Sequence, residues 1–480
     1  MPASLYFYDL ETSGVNPKKD RVMQFAGQRT NLDLEPIQEP DVFYVKMTDD
    51  VLPDPGAILV TGITPQQTIS DGISEKEFAD FIYNKVAIPQ TTIVGYNSVR
   101  FDNEFIRFLL YRNYFDSYEW SYKNNVSVWD LLDVVRMTRA LRPDGIKWPF
   151  ASDGKPTNRL EKLTDINKID HIGAHDALSD VKATIGVAKL IKKHQPKLFS
   201  YLYDMRSKQA VVNLVNSGMP FVYTSGRYDA NYQKTTVVIN LCEHPVYGAS
   251  RVIVYDLRYD PTEFLSLSIE QLVERMQFTK DKDAPTRVPV KALTINRCPA
   301  VAPTTVLTGK AQKSISLNIK TIDKHLNILK SDPTFVGRIT DAFQQIHKKT
   351  QAHFLTEPLA VDAQLYDGFI NDADKKTMAN VREYTAKTIL DFNPSFYDER
   401  LSQLWLLYKA RQFPQSLSDQ EQVDYQRYKT DKMLAGGKDS VLAKYVEDIQ
   451  QRVQDVNITA RNKSLLEDLY LWAEYINPSS

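Results

Sequence analysis

Two acidic residues stand two positions apart at the end of an apolar run near the N-terminus. Asp9 and Glu11 follow the residues LYFY at positions 5–8, and bulky apolar residues of this kind indicate a buried strand. Because residues i and i+2 of a strand share a face, the two carboxylates should lie side by side. Such a pair needs protons or cations, and it suits Mg²⁺ or Mn²⁺. The alternative is a solvated strand end followed by a helix-capping turn.

Three more residues extend this pattern along the chain. Asp102, in NSVRFDNEF, stands where a strand gives way to a helix, and it should point to the same end of the sheet as Asp9. In AHDALSD, His175 precedes or opens a helix that carries Asp180. Positions five apart on a regular helix differ by about 140°. His175 would therefore reach over Asp180 from the preceding loop or the first helical turn.

Each of these three residues also has an ordinary structural explanation. Asp102 could cap a helix, His175 could be a surface or core histidine, and Asp180 could pair with Lys182 or Lys189. Together they form D-x-E, then N-x-x-x-F-D, then H-x-x-x-x-D. This ordered set resembles the DEDDh branch of the DnaQ-like 3′→5′ exonucleases, which share a ribonuclease H-like fold.

The elements that must position these residues follow from the hydrophobic periodicity. Strands are predicted at residues 5–9, 22–30 and 41–47, followed by a Pro/Gly-rich loop over 52–67. Further on, a short buried strand at 91–97 lies among helices predicted over residues 73–86, 101–115, 129–142, 158–167 and 175–195. The last helix has basic residues in its final turn and Pro196 as a stop. Residues 1–195 are therefore expected to form a mixed α/β domain.

The remainder of the chain divides into two regions of different character. Runs of β-branched residues, TTVVINL, RVIVYDL and VPVKALTI, predict a strand-rich domain over 196–350. From 351 to 480 the patterns are helical, as in RLSQLWLLYKARQF and SLLEDLYLWAEYI. We expect three domains, the last of them all-α.

Composition narrows the class of protein. The chain has 480 residues, 42% of them hydrophobic, and a net charge of −1, which excludes a uniformly basic surface but not a local basic groove. Cys242 and Cys298 lie far apart, so neither a disulfide framework nor a zinc site of cysteines is indicated. The stretch MPASLYFYDLE has neither the basic region nor the long apolar region of a leader, and we expect no leader and no apolar segment of about 18 residues. We expect a cytoplasmic protein without a membrane segment.

The stretch 107–125, RFLLYRNYFDSYEWSYKNN, interleaves aromatic and basic residues. Bases of a single strand stack on aromatic rings while Arg and Lys meet the phosphates. The candidate stacking residues are Tyr114, Phe115, Tyr118, Trp120 and Tyr122. Basic residues follow at a spacing of three, Arg136, Arg139 and Arg142, which predicts one helix ridge that faces DNA, or else a solvated face with local ion pairs.

Six segments distributed along the chain resemble bacterial exonuclease I, a single-strand-specific DNA exonuclease. Four of them lie in the first domain and two beyond it: LPDPGAILVTGITPQ, IVGYNSVRFDNEF, WDLLDVVRMTRALRPDGIKWP, RLEKLT, VPVKALTINRCPAVAP and VDAQLYDGFINDAD. Short DEDDh enzymes such as proofreading subunits have no counterpart of the last two segments. The resemblance therefore covers essentially the whole chain.

This resemblance implies a three-part, C-shaped monomer. A ribonuclease H-like α/β nuclease domain (1–195), an SH3-like β-rich domain (196–350) and a helical domain (351–480) would close around a channel for one DNA strand. The implied activity is processive 3′→5′ digestion of single-stranded DNA to 5′-mononucleotides, in DNA repair and recombination.

The resemblance also assigns the catalytic residues. Asp9 would bridge two Mg²⁺ ions, for which Mn²⁺ can substitute, and Glu11 and Asp180 would complete the tighter site. Asp102 would support the second ion through water. Two ions about 4 Å apart activate water and stabilise the charge on the phosphate and the leaving oxygen. His175, with a reference pKa near 6.5, would be the general base.

The same comparison implies the binding residues. Besides Glu11, the residues at positions that contact substrate in the family are Arg107, Tyr118, Tyr122, Arg136 and Arg159. Tyr122 stands where the family often has tryptophan, and it keeps a stacking face. Arg142 matches a position that binds the acidic, apolar C-terminal tail of single-stranded DNA-binding protein. This role is an alternative to the DNA contact predicted for Arg142 on the helix ridge.

Two other functions are consistent with the same residues. One is a DEDDh exoribonuclease, since DNA and RNA are distinguished by how the pocket treats the 2′-hydroxyl. The other is a single-strand-binding scaffold with a vestigial nuclease site. The presence of all five catalytic positions, Asp9, Glu11, Asp102, His175 and Asp180, favours an enzyme over the scaffold.

Overall fold

A computed structural model describes residues 2–171, 173, 176–277, 281, 284–354, 360–390 and 392–479. The chain divides into two compact units. The first unit comprises Met1–Ser127, His171–Lys182 and Leu359–Ser480. The second comprises Val128–Asp170 and Ala183–Pro358. The first unit thus combines the N-terminal strands with the C-terminal helices.

A six-stranded sheet begins the fold. Its strands are β1 (Ser4–Thr12), β2 (Val22–Thr30), β3 (Asp41–Val45), β4 (Gly72–Ile73), β5 (Thr91–Gly95) and β6 (Ser127–Asp130). They are arranged in the order β4-β3-β2-β1-β5-β6, in which β1 pairs antiparallel with β2 and parallel with β5. Because β1 is central and almost wholly buried, both its faces are largely apolar, as the LYFY run predicts.

Four helices follow within the first unit. They are α1 (Pro55–Thr61), α2 (Pro65–Asp71), α3 (Glu75–Phe81), which continues as a π-helical turn over Ile82–Val86, and α4 (Asp102–Arg112). The prediction of a loop over 52–67 is wrong, because this stretch forms α1 and α2. Asp54 and Thr64 cap these two helices through their side chains, and a proline opens each one. Proline fits the first helical turn, where its missing N–H has no intrahelical partner.

The second unit is a mixture of helices and strands. Its helices are α5 (Leu131–Leu141), α6 (Leu160–Asn167), α7 (Ala177–His194), which begins in the first unit, α8 (Pro196–Asp204), α9 (Lys208–Val215), α10 (Thr262–Leu265), α11 (Ile269–Met276), α12 (Gly309–Ser314), α13 (Ile319–Lys330) and α14 (Phe335–Phe354). Its strands are β7 (Phe221–Thr224), β8 (Thr235–His244), β9 (Gly248–Asp256), β10 (Val290–Thr294) and β11 (Ala300–Pro303). They form one sheet in the order β10-β9-β8-β7-β11.

Strands begin later in this region than the sequence predicts. Pro196 ends α7 as expected, but it also occupies the first turn of α8, so two helices separate α7 from β7. The three β-branched runs correspond to β8, β9 and β10.

The C-terminal part of the first unit consists of helices. They are α15 (Asp372–Glu383), α16 (Glu399–Gln412), α17 (Asp419–Leu434), α18 (Val441–Val453) and α19 (Ala460–Ile476). One apolar core joins Met23 of β2 to Trp472 of α19, and another joins Phe108 and Tyr111 of α4 to Leu404 of α16. The C-terminal helices therefore share their cores with β2 and α4.

A buried ionic cluster joins the same two parts of the first unit. Asp362 accepts hydrogen bonds from Arg21 Nη2 at 2.9 Å and from Arg411 Nη1 and Nη2 at 2.9 and 2.7 Å. Arg411 Nη2 also lies 2.7 Å from Asp50 Oδ2. On the N-terminal side, Glu75 accepts from Arg112 Nη2 at 2.7 Å. All six side chains are at least 95% buried.

Within the described residues, no helix is both long and apolar enough to cross a membrane.

Candidate active site

Three carboxylates converge at one end of the first sheet. Asp9 and Glu11 lie on β1, and Asp180 lies in the first turn of α7. One oxygen from each of the three lies within 4.8 Å of the others. The predicted side-by-side placement of Asp9 and Glu11 is thus observed, and the fold adds the third acid.

Gln24 of β2 helps to place Asp180. It stands directly opposite Glu11 in the β1–β2 pairing, and its Oε1 accepts the backbone N–H of Ala177 at 3.4 Å. The start of α7 is therefore attached to the strand that faces Glu11, three residues before Asp180.

The three carboxylates repel one another at a site where Glu11 is buried and Asp9 and Asp180 are only partly exposed. Burial, and then Asp102, Asp180 and Glu11, raise the pKa of Asp9 well above its ordinary value. Burial, and then Asp180 and Asp102, raise the pKa of Glu11 to about 8. A divalent cation relieves this repulsion, and an all-oxygen donor set suits hard cations such as Mg²⁺ or Mn²⁺. The donor set therefore fits the divalent metal that the sequence pattern predicts.

Asp102 lies next to this cluster, at the start of α4. Phe101, not Asp102, occupies the N-cap position, and Asp102 is 4% exposed. Tyr8 of β1 donates a hydrogen bond of 2.5 Å to Asn103 Oδ1, which fixes the first turn of α4 beside the strand that carries Asp9. The charge of Asp102 acts on both Asp9 and Glu11.

The predicted general base, His175, lies outside the described residues. His171 is the histidine that the structure places at the cluster: its Nε2 is 2.5 Å from Asp180 Oδ1, and its side chain is 6% exposed. Sequence reasoning missed His171. The available signal was the pair of histidines four positions apart in DHIGAHD.

Two of the predicted substrate residues in the first unit lie together. The guanidinium of Arg107 on α4 is 5.6 Å from the ring centroid of Tyr118. Tyr122, a few residues further on, is 62% exposed. The other candidate stacking residues, Tyr114, Phe115 and Trp120, are buried and pack in the core, because the irregular chain after α4 folds back on that helix.

The predicted arginine ridge is wrong. Arg139 is 4% exposed, its Nη1 donates to the carbonyl of Thr157 at 2.6 Å, and its guanidinium lies 4.9 Å from the ring centroid of Phe150. Burial lowers the pKa of Arg139 to about 10. The loop after α5 therefore covers this residue and interrupts the ridge.

Arg136, Arg142 and Arg159 lie in the second unit. Arg136 Nη1 lies 2.6 Å from Asp133 Oδ1, whereas the side chain of Arg159, at the N-cap of α6, is 76% exposed. Arg142 follows the end of α5 and donates to the carbonyl of Leu141 at 2.7 Å.

Family models match three consecutive parts of the chain. Residues 6–188 match the family described as "Exonuclease", residues 206–346 the "Exonuclease I SH3-like domain", and residues 359–476 the "Exonuclease I C-terminal domain". These matches confirm the predicted fold class of an α/β nuclease domain, an SH3-like domain and a helical C-terminal domain.

Similar proteins cover the chain from end to end. It is 39% identical over 481 residues to exodeoxyribonuclease I of Escherichia coli strain K12, covering 99% of this chain and 98% of the relative. Two similar solved structures are a zinc-bound E. coli exonuclease I complex with single-stranded DNA (TM-score 0.91, 37% identity) and a complex of exonuclease I with single-stranded DNA-binding protein and an inhibitor (TM-score 0.90, 38% identity), each covering 99% of this chain and 100% of that chain. On this identity and coverage, the chain belongs to the exonuclease I family.

Proposed function

We propose that this chain is a 3′→5′ exodeoxyribonuclease that degrades single-stranded DNA to 5′-mononucleotides. The observation that carries the proposal is the cluster of Asp9, Glu11 and Asp180, with one oxygen of each within 4.8 Å of the others, in a member of the exonuclease I family. A scaffold protein would gain nothing from holding three repelling carboxylates in a buried place.

The cluster is proposed to bind two Mg²⁺ ions, with Mn²⁺ as a substitute. Asp9, Glu11 and Asp180 would hold these ions, and Asp102 would support them from beside the cluster. The bound ions supply charge neutralisation at the scissile phosphate and a nucleophile at neutral pH. The zinc-bound form of the related E. coli complex supports the binding of a divalent metal by this chain.

The chain's own residues carry out the remaining steps. His175 is proposed to accept the proton of the attacking water, as a histidine with an ordinary pKa near 6.5 can do at neutral pH. Glu11 and Arg107 are proposed to contact the strand, and Tyr118 and Tyr122 to stack with its bases. Arg136 and Arg159 are proposed as further phosphate contacts.

The finer features of the family are proposed for this chain as well. They are the domains 1–195, 196–350 and 351–480, processive action as a cytoplasmic monomer, and a role in DNA repair and recombination. Arg142 is proposed to bind the C-terminal tail of single-stranded DNA-binding protein, a partner present in one related structure. Charge reversal at Arg142 that abolishes tail binding and leaves turnover of bare DNA intact would support this role.

A time course on three 5′-labelled substrates tests the activity. Single-stranded DNA, duplex DNA and RNA of one sequence are incubated in Mg²⁺ or EDTA with the parent, with Asp9→Asn, and with Asp33→Asn as a matched exposed control. We expect Mg²⁺-dependent shortening of single-stranded DNA from its 3′ end by the parent and the control. A preference for RNA would indicate an exoribonuclease, and binding without cleavage would indicate a scaffold.

A further inference from the structure

Tyr366 connects the C-terminal part of the first unit to the helix that carries Arg107. It lies in the segment between the short 3-10 helix Val361–Ala363 and α15. Its hydroxyl donates a hydrogen bond to Glu104 Oε2 on α4, and its ring meets that of Phe108 edge-on at a centroid distance of 5.7 Å. A polar and an apolar contact thus fix the same ring against one face of α4.

Glu104 also forms a hydrogen bond with Arg107. Its second oxygen, Oε1, accepts a hydrogen bond from Arg107 Nη1 at 2.7 Å. The side chains of Arg107 and Glu104 are only 15% and 12% exposed. Tyr366, Glu104 and Arg107 therefore form a continuous chain of contacts in which each oxygen of the carboxylate has its own donor, and the Tyr366 hydroxyl also interacts with Arg107 directly.

The guanidinium at the end of this chain still has donor capacity. Arg107 Nε is buried and has no hydrogen-bond partner among the atoms that the structure describes, and the group lies 5.6 Å from the ring centroid of Tyr118. An arginine of this kind can hold a phosphate in one orientation only if its own rotamer is fixed.

The hydroxyl of Tyr366 is suited to this task at neutral pH. Burial, and then the charge of Glu104, raise the pKa of Tyr366 above its ordinary value. The phenol therefore keeps its proton and donates to the carboxylate. Without that donor, Glu104 would lose its hydrogen bond to the C-terminal part of the first unit, and the Glu104–Arg107 pair would be less firmly oriented.

We propose that Tyr366 is a positioning residue, which acts through Glu104 to orient Arg107 toward a phosphate of the substrate strand. The inference rests on the proposed function, in which Arg107 contacts DNA. It gives the C-terminal part of the chain, matched over 359–476 to the exonuclease I C-terminal domain, a defined share in substrate binding. The effect falls on binding and not on chemistry, because none of the three side chains belongs to the metal-ligand cluster.

Tyr366→Phe removes the hydroxyl and keeps the ring. We expect Kd and KM for single-stranded oligothymidylate to rise roughly fivefold, the effect of losing one ordinary hydrogen bond, with kcat unchanged. Tyr111→Phe is the matched control, since the Tyr111 hydroxyl donates to the carbonyl of Val361 at 3.2 Å in the same part of the chain. It should bind DNA like the parent, and thermal unfolding checks that both variants are folded.

A double-mutant cycle separates positioning from direct contact. Arg107→Ala alone should weaken binding about thirtyfold, as the loss of a charge-assisted phosphate contact predicts, and Tyr366→Phe should add nothing in that background. Parent-like binding by Tyr366→Phe, or the same fivefold loss with and without Arg107, would overturn the inference. If Arg107→Ala itself binds DNA normally, the proposed role of Arg107 fails, whereas a failure confined to Tyr366 leaves that role intact.

Discussion

The imidazole Nε2 of His171 lies 2.5 Å from Oδ1 of Asp180. His171 stands four residues before His175, the histidine proposed as general base. Asp180 therefore has a partner that fixes its carboxylate before any cation binds. Groups that orient a metal ligand in this way affect metal affinity more than the chemical step.

His171→Ala should therefore lower the affinity of the protein for Mg²⁺. We expect the Mg²⁺ concentration for half-maximal activity to rise about tenfold, with most of kcat recovered at saturating Mg²⁺. His175→Ala should instead lose turnover by about 10²- to 10⁴-fold at every Mg²⁺ concentration. His194→Ala, in the last turn of α7, is the control. An unchanged Mg²⁺ dependence in His171→Ala would contradict the role of His171 in positioning Asp180.

Asp9→Asn should reduce the stabilisation by Mg²⁺ without destabilising the protein in its absence. In EDTA the variant should have a Tm equal to or above that of the parent, because the substitution removes one member of a cluster whose charges repel. In Mg²⁺ the parent should gain stability, by about 2.7 kcal/mol at a hundred times Kd, and the variant should gain much less. Differential scanning fluorimetry with and without Mg²⁺ measures both effects. Equal Mg²⁺-dependent shifts would place the cation elsewhere.

Gly226→Ala should disturb Arg136 within the second unit. A Cβ at Gly226 would lie 3.0 to 3.2 Å from the guanidinium atoms of Arg136, which is tighter than ordinary van der Waals contact, so the guanidinium must move. We expect KM for single-stranded DNA to rise about threefold, less than the loss of one charge-assisted hydrogen bond, with kcat unchanged. Steady-state kinetics on an oligonucleotide measures this.

Gly309→Ala is the matched control for that substitution. Apart from its chain neighbours and its own helix, an added Cβ there would meet no heavy atom of the described residues within 4 Å. A similar rise in KM for both variants would mean that the effect does not pass through Arg136.

Asp362→Asn should destabilise the protein at neutral pH. Burial works to raise the pKa of Asp362, but Arg411 and Arg21 outweigh it and hold the pKa well below its ordinary value. The substitution leaves both arginines without their shared carboxylate, at a cost of about 3–5 kcal/mol. Urea unfolding at pH 7 measures the loss, and Asp367→Asn, an exposed residue of the same segment, should stay within about 0.5 kcal/mol of the parent.

The sign of the pH dependence follows from the lowered pKa. A carboxyl group whose pKa is lower in the folded state stabilises the protein above its ordinary pKa of about 4 and loses that contribution as the pH falls through the folded value. The difference between the parent and Asp362→Asn should therefore shrink progressively below about pH 4. A difference that stays constant down to pH 3 would show that the charge of Asp362 is not the source of the stability.

The residues that could be predicted best are those governed by local periodicity. Asp9 and Glu11 share a face because a strand repeats every two residues, and Asp102 lies at the start of α4 because its helical pattern begins there. The short helices α1 and α2 are harder to predict because proline and glycine are typical of loops, although Asp54 and Thr64 are N-cap residues followed by a proline at the first helical position.

Residues whose role depends on distant parts of the chain could not be predicted in this way. Nothing near Arg139 in sequence shows that a later loop covers it, and nothing near Tyr366 indicates Glu104. The helix spacing shows which residues share a face of α5, but tertiary packing decides whether that face meets solvent. His171 belongs to the same class, since its contact with Asp180 depends on how the loop before α7 folds back.

The buried ionic cluster bears on how this chain can be divided or recombined. Family boundaries suggest a detachable nuclease cassette that ends near residue 188, yet Arg21 has its carboxylate partner Asp362 beyond residue 359, and Asp50 has Arg411. In a fragment that ends at that boundary, Arg21 and Asp50 would lack these partners, and the apolar surface around Met23 and Phe108 would be exposed. A chimaera with the C-terminal segment of a homologue should likewise fold only if both partners of each ion pair are retained. The first unit therefore depends on residues from both ends of the chain.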